Sequence, residues 1–283
     1  MFRTLTTLST LALLAIPALA DGHASLSGFA LAEEGTRLVM MPDISNPGAV
    51  EMMELDTPLA AIAYRPVTGD LIGYRNGAIY RIDPMTGDLS DLGAEFVADA
   101  MTADGASVAF DFNNKIDAVR AVSTAGDNLV YFPDGFGDGD DRANSVRRFT
   151  SLAYANGDAG AGMAPQVFAN AYSNAIPGRA ASTTFQYALD AEANALVSLA
   201  NNAGTLETIG LVTVKGALAD ISALGGFDIL SPEEGIDQAY AILQIDGQRS
   251  AGLYAIDLET GAASLLSDLG MGGFTGFAVT PAM

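Results

Sequence analysis

Residues 59–93, LAAIAYRPVTGDLIGYRNGAIYRIDPMTGDLSDLG, read as four short strands joined by three turns. The first strand is expected over Ala60–Arg65 and is closed by Pro66 and the turn Val67-Thr68-Gly69-Asp70. The second, Leu71–Tyr74, leads to Asn76-Gly77, a dipeptide that favours positive φ and so marks a tight hairpin. The third, Ala78–Ile82, runs into Asp83-Pro84-Met85-Thr86-Gly87, and the fourth is Leu89–Leu92. Asp83, like Asp257 further on, is expected to bond its own turn backbone. A unit of four antiparallel strands written this plainly restricts the fold more than any other feature of the chain.

The unit recurs. Leu253-Tyr254-Ala255-Ile256-Asp257-Leu258-Glu259-Thr260-Gly261 follows Ile79-Tyr80-Arg81-Ile82-Asp83-Pro84-Met85-Thr86-Gly87 almost position for position. A third unit places strands at Val108–Phe112, Ala118–Val122 and Leu129–Phe132. The insertion GFGDGDDRANS then separates these from a fourth strand expected near Phe149–Tyr154. The next unit reads Val167–Tyr172, Thr184–Ala188, Ala195–Leu199 and Leu206–Ile209, and the last Gly226–Leu230, Ala239–Ile245, Gly252–Asp257 and Ala263–Leu269. Near the N-terminus only three strands are legible, at Phe29–Leu31, Arg37–Met41 and Val50–Leu55, while Phe274–Pro281 is a strand with nothing after it. The two incomplete ends make one complete unit. The reading is an all-β, five-bladed β-propeller, closed by the C-terminal strand joining the N-terminal blade. Closure protects sheet edges that would otherwise be exposed, and repeats of about 40–50 residues suit this architecture. A β-sandwich or solenoid is the alternative. Sustained helical periodicity is missing after the first twenty residues.

Those first residues read as a signal peptide. Arg3 supplies the positive start, Leu11–Ile16 a short apolar run, and Ala18-Leu19-Ala20 a small-residue cleavage site. The apolar run falls short of the roughly 20 residues that span a bilayer. The expected organisation is a signal peptide over 1–20, a leader over 21–28 and a single propeller domain over 29–283, exported to the periplasm or the medium. No cysteine is present, so thiol and disulfide chemistry are excluded. The formal charge is −21, with only Lys115 and Lys215 as lysines. Such a surface repels nucleic acid and anionic lipid, and neither nucleic-acid binding nor membrane insertion is expected.

The motifs IAYRPVTGDLIGY, FDFNNKIDAVRAVS, DNLVYFPDG, AYSNA, TTFQYALD, NNAGTLETIG and GFDI occur in that order along the chain. Together they resemble the bacterial family of domain of unknown function 4394, which shows IDFRP, GFDFNP, AYTNS and NNGTL at the corresponding places. The resemblance covers about residues 30–281. It implies an exported, propeller-like fold and brings no established activity. Ala63 departs from the pattern, because relatives often carry aspartate there.

His23 is the only histidine, which leaves no His-dependent nucleophile and no histidine-rich zinc or copper site. Methionines 40, 41, 52 and 53 alternate on strands and read as packing. Carboxylate chemistry remains. Asp134, Asp138, Asp140 and Asp141 lie on a glycine-rich insertion and are candidate calcium ligands, since calcium takes several oxygens on a flexible loop. An acidic solvated loop is the plainer reading. No cofactor is required, and calcium is the one candidate ion. A second candidate site is the channel mouth. Aligning the first strands of the units places Ala63, Asp111, Ala171, Asp228 and Ala278 at one level. Arg65, Asp111, Asn113, Asn174 and Asp228 then cluster as ligand-binding residues, or else pair with one another between blades. The functional expectation is a non-enzymatic, monomeric binding module for a small molecule, glycan or envelope protein. Two alternatives stay open: a carboxylate-dependent glycan hydrolase or lyase, possible only if Asp111 and Asp228 flank a cleft, and a structural envelope-associated module.

Overall fold

The structure is a computed structural model that describes residues 26–47 and 50–282. The signal peptide over 1–20 lies outside the described residues. So does the leader as far as residue 25; its last three residues, 26–28, already belong to the first strand, Leu26–Ala32. The propeller therefore begins earlier than expected, because Leu26, Ser27 and Gly28 have partners in the final strand: Leu26 faces Pro281, Ser27 faces Thr280 and Gly28 faces Val279.

Strand pairing produces five antiparallel sheets that form five blades. Blade 1 runs from the inside outward as Gly276–Pro281, Leu26–Ala32, Arg37–Met41 and Glu51–Glu54. It is the blade completed by both ends of the chain. Blade 2 is Ala61–Arg65, Asp70–Arg75, Ala78–Ile82 and Leu89–Asp91. Blade 3 is Val108–Asn113, Ala118–Ser123, Asn128–Phe132 and Ser145–Arg148; blade 4 is Val167–Tyr172, Gln186–Asp190, Ala195–Ala200 and Thr205–Leu211. Blade 5 is Ile221–Glu233, Ile236–Ile245, Gly252–Ile256 and Ala262–Asp268.

Two local expectations change. The fourth strand of blade 3 is Ser145–Arg148 and not a segment near 149–154. Its register sets Val146 opposite Tyr131 and buries it, while the arginines that make the run look polar are only half-buried. Ala153–Tyr154 instead pairs in parallel with the outer strand of blade 4. Blades 3 and 5 have the same device, Glu95–Phe96 and Thr213–Val214, each drawn from the connection that leads into that blade. These short parallel strands cover edges that would otherwise offer unpaired backbone groups. At the blade 2 hairpin only Gly77 adopts a left-handed conformation (φ 84°). Asn76 uses its side chain instead, accepting the Thr102 N–H at 2.9 Å and donating to the Thr102 carbonyl at 2.9 Å. That stitches the hairpin to the connection into blade 3. Asp83 and Asp257 accept from their own turns as expected, from Met85 N–H at 2.8 Å and Glu259 N–H at 2.9 Å.

The core sits between blades. Strand alternation sends successive side chains to opposite sheet faces, so each blade has an apolar face toward each neighbour. Phe29, Leu31 and Phe277 of blade 1 meet Ile62, Tyr64 and Ile82 of blade 2, and the same cluster continues to Leu230 and Leu253 of blade 5. Ile72 and Tyr74 meet Phe110 and Val119 between blades 2 and 3. Val122 meets Val167 and Val197 between blades 3 and 4, and Leu189 meets Phe227 and Ala241 between blades 4 and 5. Each fully buried side chain of this kind contributes about 1.5–3 kcal/mol, and the interfaces are shared equally around the ring.

The axis is nearly solid. A cavity of about 10 Å³ remains, lined among others by Ile62, Phe110, Phe168, Asn170, Phe227 and Phe277. That holds at most about one water molecule. The inner strands of blades 5 and 1 touch through backbone: a Cβ on Gly226 would lie 2.4 Å from the Phe277 nitrogen and 2.8 Å from the Gly276 carbonyl carbon. Neither atom can give way without breaking the closing strand. Gly226→Val is therefore expected to cost at least the roughly 1–3 kcal/mol typical of overpacking. Urea unfolding checks this, and an unchanged midpoint would show that the ring closes less tightly than described.

Candidate functional site

The five residues expected at the channel mouth do not form one open cluster. Asp111 and Asp228 stand at equivalent positions of the inner strands of blades 3 and 5, and both are buried, at 3% and 4% exposure. Each reaches the next inner strand around the ring. Asp111 accepts the Tyr172 N–H at 2.6 Å, and Asp228 accepts the Val279 N–H at 2.6 Å together with its neighbour Ile229 N–H at 2.7 Å. An inner strand is hydrogen-bonded on one side only, and these carboxylates satisfy donors that the strand geometry leaves free.

No arginine or lysine pairs with either carboxylate among the described residues. Arg120, directly opposite Asp111 in the ladder, turns its guanidinium to the Tyr172 hydroxyl at 3.0 Å and to the Asn128 and Asn202 side-chain oxygens. Taking a carboxylate out of water costs several kcal/mol, whereas each hydrogen bond to a charged group returns only about 1.5–3 kcal/mol. Desolvation wins. Burial pushes Asp228 up to about 7. Burial, followed by the nearby Asp228 charge, pushes Asp111 well above the usual carboxylate range. With about 10 Å³ of free space beside them, the two carboxyls do not flank a cleft, and a glycan-cleaving pair needs a gap open to substrate.

The rest of the expected cluster is bound up in the mouth itself. Arg65 forms a two-pronged pair with Asp117, its Nε donating at 2.8 Å to one oxygen and its terminal nitrogen to the other. It does not reach Asp111 or Asp228. The Asn113 side-chain oxygen accepts from the Thr184 hydroxyl at 3.0 Å and the Lys115 N–H at 3.1 Å. Asn174, in a left-handed conformation (φ 58°), donates its N–H to Asp237 at 2.8 Å and its side-chain amide to the Thr183 carbonyl at 2.9 Å. Its side-chain oxygen accepts the Gly235 N–H at 2.7 Å.

These contacts belong to a segment, residues 173–185, that crosses the mouth. Gly178 N–H donates to the Pro66 carbonyl at 2.8 Å in blade 2, and Ala181 N–H to the Asn114 carbonyl at 3.1 Å in blade 3. Ser182 and Thr183 N–H groups donate to Glu234 of blade 5 at 3.0 and 3.2 Å. Ala175 and Ile176 are buried beneath it. The segment closes the entrance that the aligned inner strands imply. The sequence signal was the length of the connection between the first two strands of this unit, longer than in the others.

The acidic insertion does not gather its carboxylates either. Arg142 binds both oxygens of Asp140 at 2.8 and 2.6 Å and holds that carboxyl well below its usual range. Arg142 also lies over Phe132 and Phe136, at 4.9 and 5.0 Å from the ring centres. Asp141 pairs with Arg147 at 3.5 Å, and Asp134 and Asp138 are exposed. Among the described residues, no three carboxylate or histidine side chains converge as a metal site would require. Arg142 and Arg147, just beyond the aspartates in the chain, were the legible sign that the loop neutralises itself.

An open site lies elsewhere, at the end of blade 2. A recess of about 130 Å³ between blades 1 and 2 is lined by Phe29, Tyr64, Gly69, Leu71, Pro84 and the terminal strand residues Thr280 and Pro281. It shares Gly69, Leu71 and Pro84 with a broader groove of about 440 Å³, which adds Asp70, Arg81, Asp83, Asp88 and Ser90. The turn after the first strand (67–70) and the Asp83-Pro84-Met85-Thr86-Gly87 turn form the rim. An apolar recess joined to a polar shelf is the usual form of a small-ligand site. Sequence reading passed over it because its wall is completed by Pro281, more than two hundred positions from Tyr64.

Two outcomes are expected. Asp111 and Asp228 hold protons more tightly folded than unfolded, so the stability they contribute is complete below the unfolded carboxyl range and is lost as pH rises toward about 7. The melting midpoint should fall between pH 5 and pH 7.5, and Asp228→Asn should flatten that slope. A midpoint that rises over the same window contradicts the assignment. Because arginines occupy Asp140 and Asp141, the midpoint in millimolar calcium should equal that in EGTA; a bound native-state ion would raise it.

Comparison with known proteins agrees with the architecture. No curated protein matches the sequence. Among solved structures, a protein of unknown function from Bacteroides thetaiotaomicron VPI-5482 aligns at 12% identity over 89% of this chain and 56% of its own, with a TM-score of 0.48. An auxiliary nutrient binding protein from the same organism aligns at 12% identity over 75% of this chain and 55% of its own, with a TM-score of 0.41. A nidogen/laminin complex structure aligns at 10% identity over 92% and 98%, with a TM-score of 0.46. The chain spans little more than half the length of the two Bacteroides proteins, and likeness at this level carries no functional argument. The family described as "Domain of unknown function (DUF4394)" matches residues 39–278. With five blades, the ends joined in one sheet and that match across most of its length, the chain belongs to this family.

Proposed function

We propose that this protein is an exported binding module that takes a small ligand in the groove at the end of blade 2. The observation that carries the reading is the continuity of the apolar recess with the polar shelf, at a place where the ring is otherwise sealed. Export rests on the order of charge, apolar run and small residues in the first twenty positions. Among the described residues no helix is long and apolar enough to cross a membrane. Binding without turnover fits the available groups: Asp111 and Asp228 are enclosed, and the shelf carboxylates have no histidine beside them.

The test is a thermal-shift screen of small metabolites on the native chain and on Pro281→Trp. Pro281 is half-buried at the recess wall, so tryptophan fills the recess from the end of a strand. A ligand at about a hundred times its Kd adds about 2.7 kcal/mol, or roughly 5 °C or more for a domain of this size. Native protein should show that shift and Pro281→Trp should lose it. Equal shifts in both would place the ligand outside the groove. The mature protein recovered from the envelope or medium should begin at Asp21 by mass spectrometry.

A further inference from the structure

We infer that the ligand is a small zwitterion with an apolar group, of which a hydrophobic amino acid or dipeptide is the simplest form. This rests on the groove being the binding site. Three observations narrow the chemistry.

The first is the charge pattern of the shelf. In the blade 2 ladder, Leu71, Ile82 and Leu89 are paired across three strands, and so are Ile72, Arg81 and Ser90. The positions just before Leu71 and Leu89 and just after Ile82 are Asp70, Asp88 and Asp83. The backbone continues that row, with Asp83 N–H donating to the Asp88 carbonyl at 2.9 Å. Counting by two, the aspartate row and the Arg81 row share one sheet face, about 7 Å apart along the strands. One end of the shelf is thus anionic and the other cationic.

The second is that these charges are not used by one another. Among the described residues, Arg81 makes no side-chain hydrogen bond or ion pair, whereas Arg65, Arg142 and Arg148 all hold carboxylates. The turns occupy Asp70 and Asp83 only singly: Asp70 accepts the Thr68 hydroxyl at 2.6 Å and Asp83 the Met85 N–H. In a chain of charge −21 with thirteen basic residues, a guanidinium left beside three carboxylates without contact is available for an outside anion. The carboxylates are available for an outside ammonium. Guanidinium binds carboxylate in a two-pronged manner, so a carboxylate is the matching group.

The third is the recess. Tyr64 is 8% exposed and its hydroxyl has no hydrogen-bond partner among the described residues. That oxygen lies beside Gly69, 3.9 Å from where a Cβ would be, and both residues line the recess. A buried hydroxyl without a partner costs free energy that a ligand group can recover. Phe29, Leu71 and Pro281 complete a space of about 130 Å³, close to the roughly 150 Å³ that encloses a benzene ring. One six-membered ring or one branched aliphatic chain fits.

Isothermal titration with L-phenylalanine and glycyl-L-phenylalanine tests the inference, each compared with its N-acetyl and C-terminal amide forms. At least one parent zwitterion should bind, and removing either charge should weaken it tenfold or more. Arg81→Met should weaken the parent to the level of its amide and leave the amide unchanged. Arg81 is exposed, so the variant should melt as the native chain does. If an amide binds as tightly as its parent, if Arg81→Met leaves the parent's affinity intact, or if neither parent binds, the zwitterion assignment is overturned. Sensitivity of any bound amide or screening hit to Pro281→Trp reports separately on the groove. Loss of binding in that variant keeps the groove while the ligand class falls.

Discussion

The free edges of the five inner strands are the constraint on which the rest of the molecule depends. Each inner strand is paired on one side only, and the space between them is too small for the water that would otherwise satisfy its backbone. Two buried carboxylates resolve part of this by reaching from one inner strand to the next, Asp111 to Tyr172 and Asp228 to Val279. They fasten blade 3 to blade 4 and blade 5 to blade 1. The cost is desolvation without a counter-charge, and the proton is the molecule's answer to it. Blade 2 carries Ala63 at the equivalent level, and the Phe112 N–H that an aspartate there would meet is met by Asp111 itself. Asn170, at the level where blades 3, 5 and 1 place Phe110, Phe227 and Phe277, leaves both its amide atoms buried without partners.

A filled axis determines where a ligand can go. Propellers with a wide channel present a mouth, but here the inner strands approach to backbone contact at Gly226 and the segment 173–185 bonds to blades 2, 3 and 5 above them. The polar residues near the mouth become internal ties. Arg65, Asn113 and Asn174 each meet a partner at hydrogen-bond distance in another blade or in the crossing segment. The open volume is displaced to the blade 1–blade 2 boundary, where the chain ends meet and the crossing segment's single bond to blade 2, at Pro66, stops short of the groove.

Much of the fold was legible because it is written locally. The strands Arg37–Met41 and Ala78–Ile82 coincide with their expected limits, and most others agree within a few residues. Turn chemistry explains this: Asp83 and Asp257 bond their own turns, and Gly77, Gly87 and Gly261 supply left-handed backbone where each hairpin needs it. The ring itself was also legible, since the missing strand at one end and the surplus strand at the other sum to one blade. The failures are equally physical. Ser145–Arg148 was hidden because one apolar residue among charged ones suffices when only one face is buried. The parallel cover strands of two residues carry no periodicity at all.

The sequence by itself determined the strand repeat, the closure by the two termini and the poverty of catalytic groups, because these follow from turn residues, alternation and composition within short windows. Only the tertiary structure decided which polar residues are available. Asp111 and Asp228 pass from candidate ligand contacts to internal fasteners because neighbouring inner strands come within hydrogen-bond reach. Arg65 is taken by an aspartate fifty-two positions away, while Arg81, one turn from an acidic row, is left free. Partner choice of that kind depends on how blades sit against each other, and no local pattern encodes it.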